Sequence, residues 1–452
     1  MTPAGLRLIA SIAIGNALVP LNSTMLVVAL PAIARDAHAT VADASWLITT
    51  YLIAMAALQP IGGRLGDRFG RRRLMLGALA YFGVASVGAA LSNGLVLLAF
   101  FRVQQALAGA IVLPNGLGIL RHTAGPRSGV HFGVMGSVSG IAASIGPLIG
   151  GLLVPIDWRL TFTLNVPIVV VAFALAWANI PGEDQVRPRT RFDVPGVVAL
   201  GLLLSGAAWA LTTLGRGAPD PATITLLIAL ALGTVAFVRY ENAREDPALS
   251  PALFRVPAFS AACGAMCFSN LALYATLLAL PALLVDSSST IAVGVALFAL
   301  SSAAVVLGPI AGTLIDRYGA RRPTLLGGGL IVAGAIATGA VVTDAVLAPL
   351  LLSLLVLGSG VAFTFPATRL AALDVVPARH AALASGVVST SRYFGGMLGA
   401  ILASAVLVAF PASSRGPALF AALAASGVIT ALVSLGMPDA TPAQAITPTE
   451  AA

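Results

Sequence analysis

The chain carries very little charge and contains no lysine. Only 9% of its 452 residues are charged and 58% are hydrophobic, whereas soluble domains carry about 25% charge. A chain this apolar cannot fold in water around a single core, so its solvent is the lipid bilayer. Because all 25 basic residues are arginine, the chain has no Gly-x-x-x-x-Gly-Lys loop, and this excludes ATP-driven pumping by the chain itself.

Cysteine and intramembrane acids are scarce as well. Cys263 and Cys267 lie one helical turn apart in an apolar run, where small packing residues are expected, not a disulfide or a metal site. We expect no metal and no cofactor. A membrane enzyme needs converging titratable groups at one depth, which the apolar runs do not supply. The net charge of +8 lies in short loops, so nucleic acid is not an expected partner.

The chain instead contains fourteen apolar runs, each near the ~20 residues that span a bilayer. They are Leu8–Ala34, Ser45–Gly66, Leu74–Ser92, Leu95–Leu120, Gly129–Val154, Leu160–Ile180, Val194–Leu214, Ala222–Tyr240, Ala258–Val285, Ile291–Ile315, Pro323–Val342, Ala345–Leu370, Ala381–Phe410 and Pro417–Met437. The predicted fold class is an all-α integral membrane protein with six spans, an inserted pair and six further spans.

An internal duplication supports this division. The segment Gly63–Arg73 recurs at Gly312–Arg322, and Gly146–Gly151 lies over Gly395–Ala400, both at an offset of 249 residues. We predict an N-terminal six-helix bundle at 1–180, two inserted helices with flanking cytoplasmic linkers at 181–257, a C-terminal bundle at 258–437, and a disordered cytoplasmic tail at 438–452.

Arginine placement predicts the topology. With a cytoplasmic N-terminus, nineteen arginines fall in or beside inner loops and two, Arg102 and Arg392, lie within spans. The four on the outer side are Arg35, Arg159, Arg216 and Arg415. This asymmetry follows the positive-inside rule. We predict a multi-pass protein of the bacterial inner (plasma) membrane with both termini cytoplasmic; the first run is too long for a signal peptide and is expected to stay as a span.

The repeated loop has a chemistry of its own. Gly63 and Gly70 permit a tight turn, and a carboxylate at Asp67, favoured near a helix start, can exchange hydrogen bonds with nearby arginines. A solvated basic loop is the simpler alternative, but the spacing occurs twice. The predicted conformational latch comprises Gly63, Asp67, Arg68, Gly70 and Arg71, with Asp316, Arg317 and Arg321 as its weaker partner.

Further motifs follow in order. Arg102-x-x-Gln105 lies inside the fourth span, where a charge costs about 2.5–3.5 kcal/mol on insertion scales and should have a role. Gly146-Pro147-x-x-Gly150-Gly151 lies in the fifth span, where proline bends a helix and glycine allows close packing. Trp158 and Arg159 open the sixth span, and we interpret them as interfacial anchors.

Together these motifs resemble the major facilitator superfamily, and in particular its 14-helix drug:proton antiporter branch. The run Trp158-Arg159-x-x-Phe162-x-x-Asn165-x-Pro167 and the Phe192-Asp193-x-Pro195-Gly196 run are similar to that branch. The resemblance implies the major facilitator fold, a loop that latches the two halves, and, from the Gly146-Pro147 helix, an exporter by alternating access.

One departure matters. Asn22 stands where the family commonly has an aspartate, and asparagine cannot carry a proton. No other acid falls in the middle of a span, so Asp36 and Asp157 at the outer rim are the best remaining proton carriers, and proton coupling stays open.

A cavity with Arg102 and Arg392 and no acid favours anionic or neutral apolar molecules over cations. Alternatively, Arg102 bonds Asn22 and Gln105 and never meets substrate.

The predicted substrate and coupling residues are Asn22, Tyr51, Arg102, Gln105, Asn115, Asn270, Tyr274 and Arg392, with Gln59, Phe363 and Phe365 as further lining candidates. For each, helix packing is an equal alternative. Tyr393, beside Arg392, is a candidate for a cation–π contact. We predict a monomeric secondary transporter that exports small organic molecules. The alternative is an uptake symporter or facilitator for a small organic anion.

Overall fold

The fold is taken from a computed structural model of the full chain. It describes residues 3–124, 128–182, 193–214, 220–244, 247, 249–284, 289–343, 346–376 and 381–439. At some positions within these ranges only the backbone is described, among them Gly63, Asp67 and Asp316.

Fourteen long helices make up the described chain. They are α1 (Pro3–Asp36), α2 (Trp46–Phe69), α3 (Arg71–Ala90), α4 (Leu95–Ala124), α5 (Ser128–Leu153), α6 (Leu160–Thr163 continuing as Asn165–Asn179), α7 (Val194–Leu214), α8 (Pro221–Asn242), α9 (Pro257–Leu284), α10 (Thr290–Tyr318), α11 (Arg321–Val341), α12 (Leu347–Asp374), α13 (Ala381–Ala409) and α14 (Ala412–Ser434). Two short helical segments, Val41–Ala44 and Pro251–Arg255, precede α2 and α9.

Length and composition allow these helices to cross a membrane. Twelve of those in the described chain are long and apolar enough by themselves, and α2 and α5 contain the shorter apolar stretches Trp46–Gln59 and Val138–Leu153. In lipid each backbone amide needs a partner within its own segment, which a helix provides. The predicted all-α integral membrane fold with fourteen helices is therefore confirmed.

Helix contacts show an internal symmetry. Within the first six helices the contacting pairs include α1–α4, α1–α5, α1–α6, α2–α4, α3–α4 and α3–α6. Adding eight to each number gives α9–α12, α9–α13, α9–α14, α10–α12, α11–α12 and α11–α14, and each of these pairs is also in contact. Two copies of one packing arrangement account for this pattern, as an internal duplication requires.

The two sets of helices meet along two equivalent pairs. One is α2 against α13 and the other is α5 against α10, and the same shift of eight exchanges them. Ser45, the residue before α2, has its Oγ 2.8 Å from Ser404 Oγ of α13. Thr390 Oγ1 of α13 donates to the Ala56 carbonyl of α2 at 2.9 Å. The inserted helices α7 and α8 pack on each other, and α7 lies against both α2 and α13.

The first repeated loop is shorter than the sequence analysis expected. Helix α2 runs on through Gly63 to Phe69, so the expectation that Gly63 forms part of a turn is wrong. Gly70 makes the turn with a φ of 101°, a backbone conformation that favours glycine, and α3 begins at Arg71. Asp67 consequently lies in the last turn of α2, four residues before α3 begins at Arg71. Its side chain lies outside the described residues, so the dipole argument made for it stays a prediction.

Candidate functional site

The first half of the molecule encloses a buried cation. Arg102, on α4, is only 1% exposed, and its Nη1 donates to Gln105 Oε1 at 2.8 Å. Its guanidinium carbon lies 4.2 Å from the centre of the Tyr51 ring, close enough for a cation–π contact. Because Gln105 follows Arg102 by three residues, both side chains project from the same face of α4.

A chain of amides completes the network around Arg102. Asn22 Nδ2 donates to Gln105 Oε1 at 3.2 Å, and Gln105 Nε2 donates to Ser86 Oγ at 2.9 Å. Asn22 Oδ1 in turn accepts a hydrogen bond from Asn165 Nδ2 at 3.0 Å. Four helices, α1, α3, α4 and α6, thus join at one polar cluster. Neither Ser86 nor Asn165 was predicted from the sequence to belong to the site, although Asn165 is part of the run from Trp158 to Pro167.

Arg102 does not bond Asn22 directly, and Gln105 stands between them. The arrangement otherwise follows the structural alternative of the sequence analysis, because amide oxygen and aromatic face replace the missing acid. Buried polar groups that bond to one another across helices hold those helices in register, although Arg102 Nε and Asn165 Oδ1 remain buried without a partner among the described residues.

A second group of side chains belongs to the other half. Arg392, on α13, lies with its guanidinium carbon 5.0 Å from the Phe365 ring centre and 5.5 Å from the Tyr393 ring centre. The expected cation–π contact of Tyr393 with Arg392 is therefore present. Arg392 is partly exposed, which distinguishes it from Arg102.

Tyrosines connect the two groups. Three tyrosines are buried here: Tyr51 of α2, Tyr274 of α9 and Tyr393 of α13. They lie close enough for the charge of one to affect the ionisation of the others. Tyr51 is also within range of both Arg102 and Arg392. Helices from both halves therefore bring arginine and tyrosine side chains near one another. The role predicted for Tyr51, Arg102, Tyr274 and Arg392 in substrate binding or coupling stays a prediction.

Two predicted lining residues have packing roles in this conformation. Asn115 is fully buried, and its Nδ2 donates to the Gly62 carbonyl at 2.8 Å and to the Ile111 carbonyl at 2.7 Å. Asn270 is 1% exposed and bonds back to the Met266 carbonyl at 2.9 Å. Gln59 and Phe363 are buried as well. None of these contacts joins them to the arginines.

The latch residues contact their own halves where they are described. Arg71 lies against Gly118 of α4, and Arg72 Nη2 donates to the Trp177 carbonyl of α6 at 2.8 Å. Arg321 forms an ion pair with Asp439 at 2.6 Å. Arg68 and Arg317 lie over the adjacent rings of Phe69 and Tyr318. The predicted partners Asp67 and Asp316 lie outside the described side chains, so the latch between the halves stays a prediction.

The glycines of the fifth-helix motif allow two close contacts. A Cβ on Gly146 would meet Thr24 Oγ1, and one on Gly150 would lie 3.0 Å from the Met25 carbonyl, both on α1. On the other side, a Cβ on Gly151 would lie 3.1 Å from the Thr290 carbonyl of α10, and one on Gly294 of α10 would lie 2.7 Å from the Pro147 carbonyl. Helix α5 therefore packs tightly against both halves through this motif.

The outer rim differs from the sequence interpretation. Trp158 is 7% exposed and packs edge-on against Phe162, so simple interfacial anchoring is wrong for it. Its Nε1 donates to Asp36 Oδ2 at 3.2 Å, and Arg159 pairs with the same oxygen at 3.2 Å. Asp157 accepts from the Arg159 amide at 2.9 Å. These contacts tie the end of α1 to the start of α6, which leaves Trp158 facing protein instead of lipid.

The fold and this centre define a polytopic helical membrane protein whose two halves share one polar core. The chain matches the family model of the Major Facilitator Superfamily over residues 12–269 and 259–451, and it belongs to that family. It is 31% identical to the MFS-type transporter YvkA of Bacillus subtilis over 95% of each chain. It is 32% identical to the tetracenomycin C resistance and export protein of Streptomyces glaucescens, covering 89% of this chain and 76% of that one.

Another relative is the puromycin resistance protein pur8 of Streptomyces alboniger, 31% identical over 86% of this chain and 79% of its own length. The protein is thus a multi-pass membrane transporter of the superfamily, with drug-resistance and export proteins among its relatives. Its family is one of transporters and not of enzymes.

Proposed function

We propose that this protein exports small organic molecules across the bacterial inner membrane by alternating access, with both termini cytoplasmic. The observation that carries the proposal is the exchange of the α2–α13 and α5–α10 contacts under a shift of eight helices. Two equivalent hinge lines around one polar centre allow the halves to rock and expose that centre to each side in turn. The domain division at 1–180, 181–257, 258–437 and 438–452 is part of this proposal.

Export rather than uptake is supported by two features. The Gly146-Pro147 helix lies between α1 and α10, where a rocking motion must pass. Relatives that align over 86–89% of this chain are named for resistance or export, one of them for tetracenomycin C. The alternative is an uptake symporter or facilitator for a small organic anion. The arginines at the centre support this alternative, because they would attract an anion.

The substrate that fits the centre is anionic or neutral and apolar. Three guanidinium groups lie within the described spans near aromatic rings, and a cation would be repelled by them. Proton coupling, if it operates through a carboxylate at the outer rim, falls to Asp36 or Asp157. The substrate centre and both hinge lines belong to one chain, so we propose that a monomer suffices.

Reconstitution decides between export and uptake. Purified protein in liposomes with an imposed pH gradient, supplied with a panel of anionic, neutral and cationic aromatic compounds, should move anionic or neutral members toward the face that corresponds to the periplasm. The Asp67 latch is tested in the same assay, because Asp67→Asn should slow transport without altering substrate binding. Net movement only toward the cytoplasmic face, or preference for cations, would refute the proposal.

A further inference from the structure

Arg392 lacks any hydrogen-bond acceptor in the described part of the chain. Its Nε is buried and unpartnered, and its contacts are the rings of Phe365 and Tyr393. A ring face attracts a cation but does not accept the directed N–H bonds of a guanidinium. An arginine in this state inside a membrane protein is incomplete, because its five donors normally face oxygen atoms.

A second arginine stands beside it. Arg369 belongs to α12, where the sequence analysis counted it among the inner-loop arginines, although it lies within the apolar run Ala345–Leu370. It is within electrostatic range of Arg392, and its Nη2 donates to Ser385 Oγ at 3.3 Å. Tyr393 is within range of both arginines. Arg369 of α12 bonds Ser385 of α13, and Arg392 of α13 lies over Phe365 of α12, so both arginines lie along the contact between these two helices.

No described carboxylate forms an ion pair with either arginine. Two like charges close together in a partly buried region repel each other, and an anion between them reduces that repulsion. The described residues supply a hydroxyl from Ser385 and two aromatic rings, and none of them supplies an anion. Oxyanions suit this position, since paired guanidinium groups bind carboxylate and similar groups through parallel hydrogen bonds.

The location agrees with a site that first meets substrate from the predicted cytoplasmic side. Arg369 lies five residues before the end of α12, about 8 Å along the axis at 1.5 Å per residue. Arg392 lies eleven residues after the start of α13, about 16 Å along the axis. Both helix ends are predicted to be cytoplasmic, so a solute entering from that side would reach these two arginines before Tyr274 and Tyr51.

We propose that Arg369 and Arg392 form a subsite for the anionic group of a planar aromatic substrate, whose ring system lies against Phe365 and Tyr393. This inference rests on the proposed transport function and adds to it a chemical class, aromatic oxyanions. It also assigns different duties to the intramembrane arginines: Arg102 holds helices together, and the Arg369–Arg392 pair binds substrate.

Equilibrium binding to the purified full chain in lipid nanodiscs tests the subsite. The probes are 2-naphthoate and its uncharged analogue 2-naphthalenemethanol, which differ in the oxyanion and share the ring system. The wild type should bind naphthoate about tenfold more tightly than the alcohol, because charge-assisted hydrogen bonds change affinity on this scale. Arg369→Gln and Arg392→Gln should each remove most of that preference and leave binding of the alcohol within about twofold.

Arg239→Gln is the matched control, since Arg239 is exposed on α8 and loses the same charge; its preference should equal that of the wild type. Arg392→Lys should retain part of the preference. Equal binding of both probes by the wild type overturns the inference, as does an equal loss of both probes in the glutamine variants with Arg392→Lys unchanged. If liposomes still export neutral compounds in that case, the subsite fails while the transport function stands.

Discussion

Replacing Gln105 by an apolar residue should lower the free energy of unfolding more than replacing Gln105 and Arg102 together. Gln105 Oε1 is the acceptor that the described structure provides for the Arg102 guanidinium, at 2.8 Å, and Arg102 is 1% exposed. In Gln105→Leu that charge stays buried with only the Tyr51 ring beside it. Taking one partner from a buried polar pair that includes a charge costs about 3–5 kcal/mol.

The reciprocal change is milder. In Arg102→Met the Gln105 oxygen still accepts from Asn22 Nδ2 at 3.2 Å, and Gln105 Nε2 still donates to Ser86 at 2.9 Å. The loss is then one hydrogen bond to a charged group and one cation–π contact, together about 2–5 kcal/mol. The desolvation cost of the buried guanidinium, which the variant no longer carries, offsets part of that loss. Replacing both by apolar side chains of similar volume leaves no unpaired charge and should cost less than Gln105→Leu alone.

A double-mutant cycle measures this coupling. The wild type, Gln105→Leu, Arg102→Met and the double variant are unfolded in mixed detergent, and export is assayed in liposomes. We expect a coupling of about 2 kcal/mol, with the double variant more stable than Gln105→Leu. We also expect the double variant to transport. Additive costs would refute the network argument, and a stable but inactive double variant would mean that Arg102 itself meets substrate.

Three other predictions use the same reconstituted system. Gly294→Ala should destabilise the fold and slow export, because its Cβ would lie 2.7 Å from the Pro147 carbonyl across the halves, whereas Gly77→Ala, with nothing within 4 Å, should have little effect in either assay. Ser45→Cys with Ser404→Cys should form a disulfide that stops export until a reductant is added, since the two Oγ atoms lie 2.8 Å apart; each single variant should be unaffected by oxidant. Asp36→Asn removes an exposed ion pair with Arg159 and should cost less than about 1 kcal/mol of stability. If Asp36 carries the proton, that variant should transport at one rate with and without a pH gradient, and a retained gradient response would pass the role to Asp157.

The helices could be predicted from sequence because a bilayer permits few choices. A run of about 20 apolar residues must become a helix to satisfy its backbone, so most of the predicted spans coincide with helices within a few residues. Turn geometry was harder. Gly63 and Gly70 look equivalent in the sequence, yet α2 continues through the first and only the second takes a positive φ. The position of the turn depends on how far α2 packs along α4, and that packing is not visible in the sequence.

Side-chain partners were predicted least well, because they depend on packing between distant segments. Asn22 and Gln105 were expected near Arg102 from their place in the spans, and both are there. Asn165 reaches the same cluster from 143 residues away, and only the packing of α6 against α1 brings it in. Trp158 has an interfacial composition but faces Asp36 for the same reason.

Duplication explains the framework and not the charges. At the offset of 249 residues the counterparts of Arg369, Arg392 and Arg102 are Leu120, Ala143 and Leu351. None of the three arginines thus has a basic counterpart in the other half, although the helices that carry them pack equivalently. In the proposed mechanism the symmetric scaffold provides the rocking motion, and the differences between its halves provide the substrate chemistry. In the described part of each half, one arginine has a buried Nε without an acceptor, Arg102 in one and Arg392 in the other. They differ in that Arg102 Nη1 donates to Gln105 Oε1, whereas the contacts of Arg392 among the described residues are aromatic rings. The proposed oxyanion subsite therefore falls in the half where the described residues offer the arginine no acceptor.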